Sequence, residues 1–125
     1  MTRTAVSTDA APRPAGAYSQ AVWLGDLLWT AGFGPQDPET GAVARSVTEQ
    51  TRQVLRNVRA TLEAAGLTMD DVVKTTVHLA DLADFAEFNA AYGEFFSDPA
   101  PARTTVGSQL AGIKVEIDVV AGRSA

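Results

Sequence analysis

Two short runs near the C-terminus hold residues that could do chemistry: Pro101-Ala102-Arg103-Thr104-Thr105-Val106 and Lys114-Val115-Glu116-Ile117-Asp118. Their alternation marks each as a β-type stretch. Strands of this kind keep charge off a buried face, because an unpaired buried ion costs several kcal/mol or is driven to its neutral form. Arg103 and Glu116 are therefore either a structural ion pair or a binding and catalytic pair. As a site they would combine a planar fork that grips a carboxylate with a carboxylate that moves protons. The residues alone lean toward the ion pair, since a tight antiparallel hairpin centred on Gln109-Leu110 would set the two face to face.

Other chemistries have less to work with. The chain has no cysteine, which excludes a disulfide framework, a thiol nucleophile and an iron–sulfur cluster. His78 is the single histidine and leaves little for zinc or copper, so no metal site is expected. A Ser19–His78–Asp triad has nothing to support it. The net charge of −5 argues against nucleic acid as a partner, which calls for a basic footprint. No apolar run reaches the length of a membrane span, and the N-terminus has no apolar leader segment, so a soluble, cytoplasmic protein is expected.

The elements that must position Arg103 and Glu116 are readable along the 125 residues, which suit one domain. Residues 1–15 are rich in Ala, Pro and Thr without periodicity and predict an extended or poorly ordered lead-in. Val22-Trp23-Leu24 and Leu27-Leu28-Trp29-Thr30 flank Gly25-Asp26, a hairpin pattern. A turn-rich loop with Pro35, Pro38 and Gly41 follows. Ser46-Val47-Thr48-Glu49 has capping-box spacing and opens a helix whose apolar stripe runs through Val47, Thr51, Val54, Leu55, Val58, Leu62 and Ala65 to a stop at Gly66.

Thr68–Asp71 reads as a capped turn, and Val72–Leu79 as a central strand. A second helix starts near Asp81 or Asp84 and runs to Phe96, burying Phe85, Phe88, Tyr92 and Phe95, with Asn89 on the inward side. The order hairpin, helix, strand, helix, strand, strand predicts an α+β fold, a mixed sheet with both helices on one face. The uncovered face must bury against something, which predicts a homo-oligomer with sites between subunits.

The following segments carry a resemblance: Gly16-Ala17-Tyr18-Ser19-Gln20, Thr30-Ala31-Gly32, Asp37-Pro38-Glu39-Thr40-Gly41, Glu49-Gln50-Thr51, Asn57, Asp71-Val72-Val73-Lys74, Phe85 with Asn89 and Tyr92, Pro101-Ala102-Arg103, and Val115-Glu116-Ile117. In this order and spacing the chain resembles the RidA (YjgF-type) reactive-intermediate deaminase family over nearly its whole length. The resemblance implies a chorismate-mutase-like (ferredoxin-like) fold assembled as a homotrimer, with clefts between neighbouring subunits. It also implies cofactor-independent hydrolysis of 2-imino or enamine acids, such as 2-aminoacrylate or 2-iminobutanoate types, to 2-oxo acids and ammonia.

By the same resemblance Arg103 anchors the substrate carboxylate and Glu116 handles the attacking water. Gly32 lets the backbone approach a ligand, Tyr18 covers the substrate, and Asn89 and Thr105 supply neutral hydrogen bonds. Ala17, Ala31 and Phe33 stand where the family usually has Pro, Ser and often Gln, and Gly107–Gly112 looks shorter than usual. Phe33 makes that wall of the site more apolar. Two alternatives follow: a pathway-specific relative acting on a more apolar imine, or a non-catalytic trimer that binds small 2-oxo acids.

Overall fold

The computed structural model describes residues 2–124. The lead-in is extended and fixed there: β1 (Thr4–Val6) pairs antiparallel with β2 (Ala21–Leu24), and Ala11 is 1% exposed within the core. The signal for this lies in the distant partner strand rather than in the lead-in's own composition. Between β2 and β3 (Leu27–Thr30) the chain reverses at Gly25, whose φ of 60° is a conformation that side-chain-bearing residues resist.

Helix α1 (Val47–Ala64) begins at Ser46, whose Oγ accepts the Glu49 N–H at 3.1 Å. Only this half of the expected capping box forms, because the Glu49 carboxylate turns to Arg52 Nη1 at 2.7 Å. The expected stripe buries Val47, Thr51, Val54, Leu55, Val58 and Leu62, and Gly66 with φ +80° ends the helix. Fully burying each Val or Leu side chain contributes roughly 1.5–3 kcal/mol. Asn57, also buried, donates to the carbonyls of Gly34 and Gln36 at 3.0 and 2.9 Å, tying the loop after β3 to the helix.

After the capped turn at Met69–Asp71 comes β4 (Val72–Leu79). The second helix is shorter than its sequence suggests: α2 spans Phe85–Tyr92, with single 3-10 turns at Leu82–Asp84 and Gly93–Phe95. Phe88 and Tyr92 are buried as expected. Phe85, at 39% exposure, and the half-buried Phe95 are not, and Asn89 is exposed rather than inward. In the first turn of α2 the Phe85 ring lies by the Arg103 guanidinium instead of in the core.

The last two strands, β5 (Ala102–Gly107) and β6 (Val115–Gly122), complete a six-stranded sheet of order β1-β2-β3-β6-β4-β5. β6 runs antiparallel to both β3 and β4, whereas β5 pairs parallel with β4. The conditional hairpin around Gln109-Leu110 therefore does not form, because β4 separates the two strands. Both helices cover the face that buries Val77, Ile117 and Val119, and Tyr92 Oη meets Thr75 Oγ1 there at 2.8 Å. This is the expected α+β sandwich of helices on one face. The other face is open, with Leu24, Leu27 and Trp29 exposed, Trp29 by 52%. Among the described residues no helix is long and apolar enough to cross a membrane.

Candidate functional site

Strand parity decides where the two charges go. On β6, Val115, Ile117 and Val119 bury against the helices, so Glu116 and Asp118 point to the open face. On β5, Arg103 lies across from Thr75, and Thr75 across from Val119, all three on the helix side. Positions 116 and 119 differ by an odd step. Arg103 and Glu116 therefore stand on opposite faces of the sheet, with β4 between their strands, and within one chain they form no ion pair.

The Glu116 half is built by the segment after β3. Phe33 donates its N–H to the Ile117 carbonyl at 2.9 Å and accepts the Ile117 N–H at 3.1 Å, which lays Gly32 beside Glu116. A Cβ on Gly32 would sit 2.8 Å from Glu116 Oε2 and 3.0 Å from Cδ. The missing side chain is thus room for the carboxylate itself, a more specific reason for glycine than close approach to a ligand. Gly32→Ala is expected to turn Glu116 out of this position at little cost in Tm, because the clash is with the mobile end of a side chain. A misplacement of about 1 Å lowers turnover by roughly 10²-fold, so steady-state rates beside a melting curve check it.

Glu116 opens into a cleft of about 280 Å³, lined by Pro12, Tyr18, Gly32, Phe33 and Ile113 among others. Tyr18 is 50% exposed; its hydroxyl accepts the Ala15 N–H at 3.1 Å, leaving its own proton free to donate. Phe33, bridged to Ile117 and 4% exposed, sends its ring into the core on the helix side, so the more apolar wall expected from its side chain is not presented to the cleft.

The Arg103 half sits at the sheet's edge. Its guanidinium carbon lies 4.8 Å from the Tyr92 ring centre, 5.4 Å from Phe85 and 5.8 Å from Phe88. Nη1 donates to Asn89 Oδ1 at 2.7 Å. Aromatic faces and an amide hold the fork without neutralising it, and among the described residues Arg103 has no carboxylate partner. Thr105, next but one along β5, shares its face. Burial pushes the Tyr92 phenol up, against the lowering effects of its bond to Thr75 and the Arg103 charge, so the ring beneath the guanidinium stays neutral.

The sequence-derived residues thus divide into two groups: Arg103, Asn89 and Thr105 on the helix side, and Glu116, Gly32 and Tyr18 around the open-face cleft, with Phe33 contributing its backbone beside Ile117 and its ring to the core. Sequence reasoning passed over Asp118, whose carboxyl is raised by burial and partly lowered again by His78 and Lys74. Its alternation with Glu116 was the available signal. His78 Nδ1 pairs with Ser108 Oγ at 2.7 Å, not with Ser19, so the triad does not form. No three His, Asp or Glu side chains among the described residues converge as metal ligands.

Residues 8–122 match the model of a family described as Endoribonuclease L-PSP. The chain is 45% identical over 128 aligned positions to the 2-iminobutanoate/2-iminopropanoate deaminase of Salmonella typhimurium, covering 98% of this chain and 99% of that one. A RutC family protein of Pyrococcus abyssi is 46% identical over 107 residues, 85% of this chain and 84% of its own. Among solved structures, the YjgF gene product of E. coli superposes with a TM-score of 0.92 at 43% identity, covering 97% of this chain and 99% of that one. E. coli TdcF with bound serine gives 0.92 at 38% identity, over 97% and 99%.

Proposed function

We propose that this chain, which belongs to the Endoribonuclease L-PSP family, is an enzyme that hydrolyses 2-imino acids to 2-oxo acids and ammonia. The observation that carries this reading is the Arg103 fork, held by Asn89 and three aromatic rings yet left without an acid. A fork so presented suits the carboxylate of a small acid. The names of the deaminase relatives support the reaction class.

The steps follow from the two groups. Arg103 binds the substrate carboxylate, which fixes the imine carbon. Glu116 takes a proton from water as the oxygen adds to the carbon of the protonated imine, giving a neutral tetrahedral amino alcohol. The proton passes to the nitrogen, the C–N bond breaks, ammonia leaves, and the hydroxyl loses its proton to become the carbonyl of a 2-oxo acid. Tyr18 donates to the substrate across the cleft, and Thr105 and Asn89 complete the hydrogen bonds around the carboxylate. None of these steps calls on a cofactor.

Because Arg103 and Glu116 lie on opposite faces, the site is complete only where one copy's edge strand meets the open face of the next. A homotrimer with shared clefts fits this need and covers Leu24, Leu27 and Trp29. Trp29→Glu is expected to give folded monomers, since burying an unpaired carboxylate costs several kcal/mol per interface. Sedimentation velocity reads the change, and a variant that keeps the wild-type mass would sink this arrangement.

The deciding experiment is the release of 2-oxo acid from 2-iminobutanoate and 2-iminopropanoate made in situ by an amino-acid oxidase, with semicarbazide trapping the imine that escapes. No acceleration by an assembled protein would overturn the proposal for these substrates. Pro12 and Ile113 in the cleft favour a second reading in which imines with longer apolar side chains react faster. The endoribonuclease of the family's description suits this chain less: its net charge is −5, and Arg13 and Arg52 are paired with Asp9 and with Glu49 and Glu94.

A further inference from the structure

Gln20 is a polar side chain only 2% exposed, just before β2, and it is spent on a segment far from it in sequence. Its Oε1 accepts the Thr8 N–H at 2.8 Å, while Nε2 donates to the carbonyls of Thr8, Ala11 and Pro12 at 3.0, 3.3 and 2.9 Å. Only this orientation of the amide works, because the reverse would turn oxygen toward carbonyls and N–H toward N–H. The Gln20 backbone carbonyl in turn accepts the Ala31 N–H at 2.9 Å, next to Gly32.

The segment from Thr8 to Tyr18 has no other such tie. Its remaining hydrogen bonds among the described residues are internal: Ala10 to Thr8, Arg13 to Asp9, Ala15 to Tyr18, and Tyr18 to Gly16. Yet Pro12, Ala15 and Tyr18 from this segment form the wall of the cleft that faces Gly32 and Glu116. Beside the packing of Ala11 in the core, this one buried amide supplies the hydrogen bonds that hold the wall to the rest of the fold.

We infer that Gln20 is a positioning residue for the imine site, holding the Thr8–Tyr18 segment as the wall over Glu116. This rests on the reading of that cleft as the place of reaction. Without the amide, the wall is in place only part of the time. Apparent affinity then falls by the fraction of competent molecules, while a substrate once bound still meets an unmoved Glu116.

The test compares wild type with Gln20→Met, which keeps the length and loses the amide, and with Thr8→Pro, which removes the N–H from the far side, together with the exposed hydroxyl that accepts the Ala10 N–H, and leaves the core alone. Two quantities are read: hydrogen exchange at the N–H of Ala11, which is buried only while the segment is docked, and steady-state hydrolysis of 2-iminobutanoate. The expected result is faster exchange in both variants and a KM raised about tenfold with kcat within about twofold, as for a wall formed in roughly a tenth of molecules. Should Gln20→Met fail to fold, Thr8→Pro decides alone. Unchanged exchange, or faster exchange with a wild-type KM, or a loss confined to kcat, overturns the inference. If the wild type hydrolyses no imine, the deaminase reading fails, and the wall is read from 2-oxobutanoate binding followed at the Gly32 amide by NMR. Weaker binding in both variants then upholds the positioning role. Equal binding in the variants, or none in the wild type, overturns it.

Discussion

Arg103→Ala is expected to leave a folded, assembled protein that has lost about 10²- to 10⁴-fold in kcat/KM toward 2-imino acids, from two charge-assisted hydrogen bonds of roughly 1.5–3 kcal/mol each. The fold survives because Arg103 has no acid among the described residues to leave unpaired. What it loses locally is the bond to Asn89 and the stacking on Phe85, Phe88 and Tyr92, of order 0.5–2 kcal/mol for the stacking. Arg103→Lys keeps the charge but not the fork, and is expected to fall between wild type and Ala. Circular dichroism and sedimentation beside the kinetics separate the cases. An unfolded Ala variant would make the arginine structural, and an unchanged rate would remove it from the site.

Glu116→Gln is the second large effect. The amide fills the same space beside Gly32 but takes no proton from water, and loss of a general base lowers turnover by about 10²- to 10⁴-fold. The loss should fall on kcat with KM nearly unchanged, the opposite of the pattern expected for Gln20→Met. A Gln variant with wild-type kcat would end the role of Glu116 as the water-handling group. In the proposed assembly the two residues serve from different copies, so co-assembling Arg103→Ala with Glu116→Gln should restore activity that neither has alone. Clefts then form in which one chain brings the intact arginine and its neighbour the intact glutamate. Separate inactivity that persists after co-assembly would place both groups on one chain.

Local physics made much of this legible before any coordinates. The helix begun at Ser46, the turn at Gly25 and the β-branched run of β4 follow from capping, positive φ and alternation, all of which act over a few residues. Residue types at Arg103 and Glu116 left an ion pair and a binding pair both open; the chemistry now proposed for them came from the family resemblance. What stayed hidden depended on distant partners. Nothing within Thr4–Val6 announces pairing with Ala21–Trp23, and nothing between Gly107 and Val115 announces that β4 will stand between two strands adjacent in sequence. The opposite facing of Arg103 and Glu116 needs that non-local register as well as parity. Phe85 misled for a related reason: helical spacing puts it with Phe88 and Tyr92, but the first turn of α2 overhangs the sheet's edge.

The place of β6 has a consequence for how the chain is made. The strands before it form two blocks, β1-β2-β3 and β4-β5, and only β6 joins them hydrogen bond by hydrogen bond. Its residues, Val115–Gly122, come after all five of the other strands in chain order. A nascent chain growing by roughly 5–20 residues each second therefore holds an open gap in its sheet until β6 itself has been made. Chains cut short by a premature stop lack Glu116 together with the strand that closes the gap, so a prematurely ended message yields no folded half-enzyme.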